Sequence, residues 1–332
     1  MQENIYKNYW IIVMTEKFSV IIPLYNKGPY IARAIESILK QTIQDFEIII
    51  IEGGSGDNGP MIVKEFNDPR IHFFEQSGKG VSNARNEAVN FSKNDFIAFL
   101  DADDEWMPTH LETILRLIEK YPEAGMLTTA WKIYPADGKL RWANFQSIPD
   151  APWEGLLPDY FRSGSIGDSP VLTSVVVIPR GIFHEMGGFP EGYWYGEDVD
   201  LFGKIALKYP VAFSWEFGAI YHVDASNRAC NRKIPRNYEE PFVKTARVAL
   251  MNSDVRPDLV ESVNEYIAKK EIYRAYCNLH DGNLKTAQVI LKQCTTKLRN
   301  NEKMKLLILA KFPVYFFIRD VGQNLIKMVR KR

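Results

Sequence analysis

The sequence predicts an α/β fold: a mostly parallel sheet covered by helices on both faces, followed by an all-helical C-terminal region. Three observations predict it. Short apolar runs begin at residue 17 and are separated by helix-length amphipathic stretches. Their order is strand, helix, strand, helix, the pattern of a sheet with helical crossovers. After Pro235 the texture changes, and helix-like stretches with charged faces fill residues 240–332.

Taken in order, Phe18–Pro23 is a short apolar run, read as a buried strand. Ile31, Ile35, Ile38 and Leu39 then share one helical face. Glu47–Ile51, rich in isoleucine, is the second strand. Asn58–Phe66 is a helix with Pro60 in its first turn, where proline is favoured. Ile71–Phe74 is the third strand, Ser82–Phe91 a helix and Asp95–Leu100 the fourth strand. Leu111, Ile114, Leu115 and Ile118 mark the next helix. From Tyr134 to about Gly167 the chain is rich in Pro, Gly, Asp and Trp and shows no period. It reads as an irregular segment over the working edge of the sheet. A strand at Ser174–Ile178 follows, then Gly181–Met186, a helix from Asp198 to about Lys208, and one or two strands within Val211–Val223. In the helical region Asp281-Gly282-Asn283 separates two helices, Ile267–Leu279 and Leu284–Leu298. A single such hairpin is weak evidence for a repeat array. The expected units are an N-terminal extension (1–16), an α/β domain (17–235) and a helical region (236–332).

Composition excludes some functions. The 332 residues are 46% hydrophobic and 25% charged, a globular balance. Lys plus Arg and Asp plus Glu are both 41, so no basic field exists to hold a nucleic acid. The three cysteines, Cys230, Cys277 and Cys294, match no metal-binding spacing and suit a reducing, cytoplasmic setting. Tyr9–Met14 is too short for a signal sequence. No run reaches the ~18 apolar residues of a spanning helix. The longest, Leu306–Ile318, is broken by Lys311 and Pro313 and followed by Lys327, Arg330, Lys331 and Arg332. Its aromatics suit either peripheral contact with the inner membrane face through 306–332, or packing on the α/β domain or on a second subunit of a homodimer.

Four constellations carry chemistry. Asp101-Ala102-Asp103-Asp104 directly follows the fourth strand. Alternate residues of an extended chain project to one side, so Asp101 and Asp103 point together at a strand's C-terminal end, where open α/β sheets bind ligands. Such a pair suits a divalent cation whose shell phosphate oxygens complete; an acidic turn capping the next helix would look the same. Gly196-Glu197-Asp198-Val199-Asp200 opens a helix with three acids in four positions, more than a cap requires, and one could act as general base. Gly80-Val81-Ser82-Asn83-Ala84-Arg85-Asn86 opens another helix, with Arg85 suited to an anion. Gly54, Gly56 and Gly59 match a dinucleotide fingerprint, with Glu75 where a ribose acid would stand, and raise an NAD-dependent oxidoreductase as an alternative. That alternative leaves both acidic clusters unexplained. His222 ends an apolar strand and gains meaning only if it folds near Asp103.

In this order the pieces resemble the family 2 glycosyltransferases, inverting enzymes of the GT-A fold, a Rossmann-like mixed sheet flanked by helices that binds nucleotide-diphospho-sugars. The matching residues are Ser19-Val20-Ile21-Ile22-Pro23-Leu24-Tyr25-Asn26, Gly80–Asn86, Asp101–Asp104, and Gly187-Gly188-Phe189 followed by Gly196-Glu197-Asp198. The resemblance covers residues 17 to about 225. It implies that Pro23 and Tyr25, with Asn26, line the nucleobase pocket, that Arg85 lies against the nucleotide, and that Asp101 faces the ribose or sugar. It further implies that Asp103, with the late His222, holds Mn²⁺ or Mg²⁺ on the diphosphate, and that Asp198 is the catalytic base with Glu197 beside it. The reaction implied is an inverting in-line displacement from a nucleotide-sugar donor, a UDP-sugar being favoured. The acceptor would be a saccharide or lipid-linked hydroxyl, in cell-surface glycan or polysaccharide synthesis. A nucleotidyltransferase would share the metal and the paired acids but needs no base at Glu197-Asp198. One departure is plain. The family usually shows two aspartates before Gly-Ser after the second strand, and here the run is Glu52-Gly53-Gly54-Ser55. Glu52 is expected to stand in for the acid pair.

Overall fold

The computed structural model of the protein describes residues 18–135, 137–225, 228 and 238–311. The N-terminal extension, Cys230 and most of the apolar and basic tail lie outside them. So does most of the segment around the expected boundary at 235.

The sheet is mixed, and β1 (Phe18–Leu24) lies inside it. It pairs in parallel with β2 (Phe46–Glu52) on one side and with β4 (Phe96–Phe99) on the other. β3 (Ile71–Glu75) adds in parallel outside β2. Beyond β4, β9 (Val177–Pro179) inserts antiparallel between β4 and β6 (Met126–Tyr134). The long β10 (Val211–His222) then runs parallel to β6. β5 (Glu105–Trp106) and β8 (Glu154–Leu156) pair antiparallel with different halves of β10, and β7 (Arg141–Trp142) pairs with β6. Ile48, Ile49, Ile50 and Ile51 are all buried because both faces of β2 are covered, which explains a continuous rather than alternating apolar run.

Helices α1 (Gly28–Leu39), α2 (Gly59–Glu65), α3 (Val81–Phe91) and α4 (His110–Lys120) stand where the apolar spacing places them. α1 buries Ile31, Ala34, Ile35 and Ile38, one stripe at helical spacing. Differences begin after α4. β6 is a full strand where no strand is expected. The irregular stretch holds β7, β8 and α5 (Tyr160–Ile166), the last capped by Asp159, whose Oδ1 accepts from Arg162 N at 2.9 Å. Thr173–Val175 is a tight 3₁₀ turn, so the strand expected from Ser174 starts only at Val177. After it come α6 (Arg180–Glu185) and α7 (Glu197–Lys208). β10 is one strand whose register shifts twice between Ser214 and Ala219.

The helical region consists of α8 (Pro241–Met251), α9 (Val260–His280), α10 (Leu284–Gln293) and α11 (Asn300–Lys311). α8 is built onto α7. A Cβ at Gly203 would come within 2.1 Å of the Phe242 ring, so only glycine permits this approach. Phe242 stacks on Phe161, with ring centres 5.7 Å apart. α8 and the first half of α9 share one apolar core with Phe99, Phe189 and Leu201. From Ala268 onward, α9 packs instead with α10 and α11 in a separate cluster. The packing break thus falls within α9. Among the described residues no helix is long and apolar enough to cross a membrane.

Candidate active site

The site forms at the C-terminal ends of β1, β2 and β4, where parallel strands leave backbone ends and loops to meet a ligand. Its centre is Arg85 on α3. The side chain is 4% exposed and lies over the Phe189 ring, 5.0 Å from its centre. Nη2 donates to Asp101 Oδ1 at 2.8 Å and Nη1 to Glu197 Oε1 at 3.0 Å. Burial works against the guanidinium charge, but Asp101 and Glu197 outweigh it and hold the group firmly protonated. The two acidic motifs, far apart in sequence, therefore share one cation. Next to Arg85, the Asn86 side chain donates to Phe189 O at 2.9 Å and accepts from Phe189 N at 3.0 Å. Two successive residues of α3 thus fasten the loop that leads into α7. Ser82 is buried within the first turn of α3.

The three acids at the start of α7 divide their work. Gly196 precedes them with φ +76°, a left-handed turn that glycine adopts freely. Glu197 is buried against Arg85, and burial first, then the neighbouring Asp198, push its carboxyl up to about 7 against the pull of Arg85. Asp200 is buried on the other side, accepting from Thr245 Oγ1 at 2.6 Å and pairing with Lys204 at 3.1 Å. It ties α7 to α8. Asp198 is only half-buried; its Oδ2 accepts from Thr173 Oγ1 at 3.3 Å and its Oδ1 from Val199 N at 2.8 Å.

The loop after β4 is equally differentiated. Asp103 Oδ2 pairs with Lys27 Nζ at 2.6 Å, and Arg33 donates to the Asp103 carbonyl. Asp104 points inward, where it accepts from Ser174 Oγ and, at 2.9 Å, from His222 N. Burial, then the nearby Asp103 and Asp101, push the Asp104 carboxyl well above the usual range. Ser174 Oγ also accepts from Asp101 N at 3.2 Å. His222, expected on the metal, meets this loop through its backbone, while its Nε2 faces Glu105 at 3.0 Å and its Nδ1 faces Asp224 at 3.3 Å. Among the described residues no group of three or more His, Cys, Asp or Glu side chains could hold a metal ion by itself.

The loops after β1 and β2 are stitched together. Ser55 N donates to Glu52 Oε1, Asn26 N donates to Ser55 Oγ at 2.9 Å, and Gly56 N donates to Asn26 Oδ1 at 2.7 Å. Glu52, expected to meet the nucleotide, thus turns into its own loop. Asn26 holds φ +52° in this arrangement. Tyr25 is 52% exposed beside the half-buried Pro23. Asp57 fills the adjacent helix starts, accepting from Gly28 N at 2.8 Å and Gly59 N at 3.0 Å. That arrangement removes the support for a dinucleotide site. A protein carboxylate takes the N-terminus of α2, and β1, which the oxidoreductase reading makes surplus, is an inner strand of the sheet.

Sequence reasoning missed Lys27, Arg33, Asn86, Thr173 and Ser174. Asn86 and Lys27 lie inside or beside quoted motifs, and only the fold shows what they touch.

Comparison with known proteins gives the family and the fold. The glycosyl transferase family 2 model matches residues 19–172. Over 209 residues the chain is 36% identical to the glycosyltransferase GlyG of Streptococcus pneumoniae serotype 4 (strain ATCC BAA-334 / TIGR4), covering 60% of this chain and 68% of GlyG. Over 157 residues it is 43% identical to the uncharacterized glycosyltransferase YibD of Escherichia coli K12, covering 45% of this chain and 44% of YibD. The chain therefore spans under half the length of YibD. The crystal structure of S. aureus TarS 1-349 in complex with UDP-GlcNAc superposes with a TM-score of 0.66 at 18% identity, covering 92% of this chain and 88% of that one. That likeness gives the fold, the GT-A arrangement that the motifs imply. With the motif order, the site and the match to GlyG in agreement, this chain belongs to glycosyl transferase family 2.

Proposed function

We propose that the protein is an inverting glycosyltransferase that moves a sugar from a nucleoside-diphosphate donor to a hydroxyl of a saccharide or lipid-linked acceptor, in the synthesis of a surface glycan or polysaccharide. The observation that carries this reading is the Asp101–Arg85–Glu197 bridge. It joins a donor-side acid to a base-side acid, as a displacement between two substrates needs. A UDP-sugar is the favoured donor, in keeping with the UDP-GlcNAc bound to TarS.

Pro23, Tyr25 and Asn26 would border the nucleobase, with Glu52 shaping the loop beneath it. Asp103 fits a divalent cation: its carboxylate already holds a cationic group, and diphosphate oxygens would supply the further ligands. Mn²⁺ or Mg²⁺ held there, with His222 close to the same loop, would neutralise charge on the leaving diphosphate. Asp198 is the base, since Glu197 is committed to Arg85 while Asp198 is half-buried with a weaker side-chain contact. It would accept the acceptor's proton as the oxygen attacks the anomeric carbon from the face opposite the diphosphate. A nucleotidyltransferase would have no use for this base.

A panel of nucleotide sugars, assayed for hydrolysis and transfer with the anomeric configuration read by NMR, tests the proposal. Release of nucleoside diphosphate with inversion is expected; pyrophosphate release or no turnover with any donor would refute it. The tail beyond Lys311 would place the enzyme on an anionic membrane face, near lipid-linked acceptors. Salt-sensitive co-sedimentation of the full chain with anionic vesicles checks this, and recovery in the supernatant at low salt refutes it.

A further inference from the structure

Lys27 has no role in the mechanism above, yet its ammonium already pairs with the carboxylate proposed to hold the metal. Its Nζ is 2.6 Å from Asp103 Oδ2, and the two side chains are only 13% and 12% exposed. The contact is built in from the backbone up. Lys27 is the residue before the first turn of α1, and its carbonyl accepts from Tyr30 N at 2.9 Å and Ile31 N at 3.0 Å. That ties its main chain to the first turn of α1. From the same helix, Arg33 holds the Asp103 carbonyl, so the loop keeps its position whatever Lys27 does.

The electrostatics follow. A carboxylate this little exposed is costly without a partner, and Lys27 supplies one. A divalent cation would need the same oxygen, and an ammonium and a dication cannot share it without strong repulsion. One must leave. Arg85 is locked between two acids, but Lys27 is a compact charge on a flexible four-carbon stem. A donor diphosphate arriving with the cation brings oxygens on which that ammonium can re-form its charge-assisted contact.

We propose that Lys27 is a resident counter-ion of Asp103, which it yields to a divalent cation while transferring its own contact to the donor diphosphate. The metal alone then binds weakly, because it must first displace Lys27 from Asp103, and metal and nucleotide bind cooperatively. This rests on the glycosyltransferase reading and adds to it a positioning residue and an order of binding.

The test measures binding, not turnover. Free Mn²⁺ is followed by its paramagnetic resonance signal during titration of the full chain, with and without UDP. The proteins are wild type, Lys27→Met, Lys27→Gln and Lys27→Arg, with thermal melts confirming that each is folded. Wild type should bind Mn²⁺ weakly alone and far more tightly with UDP. Lys27→Met and Lys27→Gln should bind Mn²⁺ alone about tenfold more tightly or better, and should lose most of the tightening that UDP gives. Lys27→Arg should behave as wild type. If both neutral variants bind Mn²⁺ alone no better than wild type, while wild type still binds Mn²⁺ with UDP, the inference about Lys27 is overturned and the glycosyltransferase reading stands. If wild type takes up no Mn²⁺ with UDP, the inference about Lys27 is also overturned, while the glycosyltransferase reading is left to the donor panel.

Discussion

Arg85 reaches Asp101 with one terminal nitrogen, at 2.8 Å, and Glu197 with the other, at 3.0 Å. A single guanidinium therefore sets the distance between the loop after β4 and the first turn of α7. The sequence suggests a phosphate-binding arginine here, and in the fold both of its terminal nitrogens already hold protein carboxylates.

Replacing it should break the site and the fold together. Arg85→Met strands two carboxylates, one of them buried, and is expected to lower stability by about 3–5 kcal/mol. Transfer should become undetectable. Arg85→Lys should recover part of the stability and little of the activity, since one ammonium cannot reproduce the two-nitrogen fork. Denaturant unfolding and initial rates measure both. Wild-type turnover in Arg85→Met would show that the bridge is incidental.

Asp198→Asn should keep the fold and the donor site but lose about 10²–10⁴-fold in turnover, the usual contribution of a general base. Donor affinity, measured separately by calorimetry, should stay near wild type. A loss confined to affinity would move the base elsewhere.

What was legible in advance follows from what local pattern can encode. β1, β2 and β4 were readable because both faces of those strands are covered, leaving nearly unbroken apolar runs. β6 was not, because Thr128 and Thr129 lie fully buried in its middle and only tertiary packing makes polar residues acceptable there. The misplaced start of β9 has the same origin. Ser174 looks like a strand residue, but its hydroxyl serves Asp101 and Asp104 from a tight turn. At the site, the acids stood out by type and spacing. Their partners did not: Lys27 and Asp103 are 76 positions apart, and Arg85 and Glu197 are 112 apart. Sequence spacing could show that carboxylates gather, but not which cation answers each one.

Glu197 gives the protein opposing pH dependences. Its carboxyl is raised from 4.5 to about 7, by burial first and then by Asp198, so the folded state binds a proton more readily than the unfolded chain. The stability this contributes is fully present below 4.5 and is lost as pH rises through about 7. Activity should run the other way, since the bridge to Arg85 is strongest with Glu197 ionised. Rates should climb through neutrality while melting temperature declines. Glu197→Gln should remove the neutral-range slope in stability; a slope that persists unchanged would assign it to another group.

Asp103 and Asp104 are adjacent but should fail differently. Asp103→Ala removes the proposed metal ligand at the edge of the site, so metal-assisted nucleotide binding should vanish with only a modest change in melting. Asp104→Ala removes the acceptor of Ser174 Oγ and His222 N, both inside the fold. It should cost about 1–3 kcal/mol for each stranded donor. Equal melting of the two variants would contradict this division.

The last prediction concerns the departure at Gly53. Glu52 Oε1 accepts from Ser55 N, so the surviving acid holds the loop that Asn26 and Ser55 complete. Glu52→Gln keeps an acceptor there but loses the charge that strengthens the bond, so the loop is held less firmly and nucleotide binding should weaken by less than the roughly 1 kcal/mol net worth of one hydrogen bond. Restoring the acid usual in the family tests the neighbouring position. A Cβ at Gly53 would meet Gln76 Oε1 at 2.9 Å and Leu24 O and Tyr25 Cβ only at 3.5 and 3.6 Å. The close contact is the end of a flexible side chain that can shift, although Gln76 also donates to Gly80 O at 2.8 Å and Asn83 Oδ1 at 2.9 Å. Gly53→Asp should therefore fold, with a small loss of stability as Gln76 adjusts. Its new carboxylate stands beside Tyr25, where the nucleobase is proposed to lie, so the ratio of UDP to GDP affinity should change while Asp103-dependent metal binding does not. Calorimetry with both nucleotides decides the matter. If neither Glu52→Gln nor Gly53→Asp alters either affinity, this loop does not touch the nucleotide and the base must be read elsewhere.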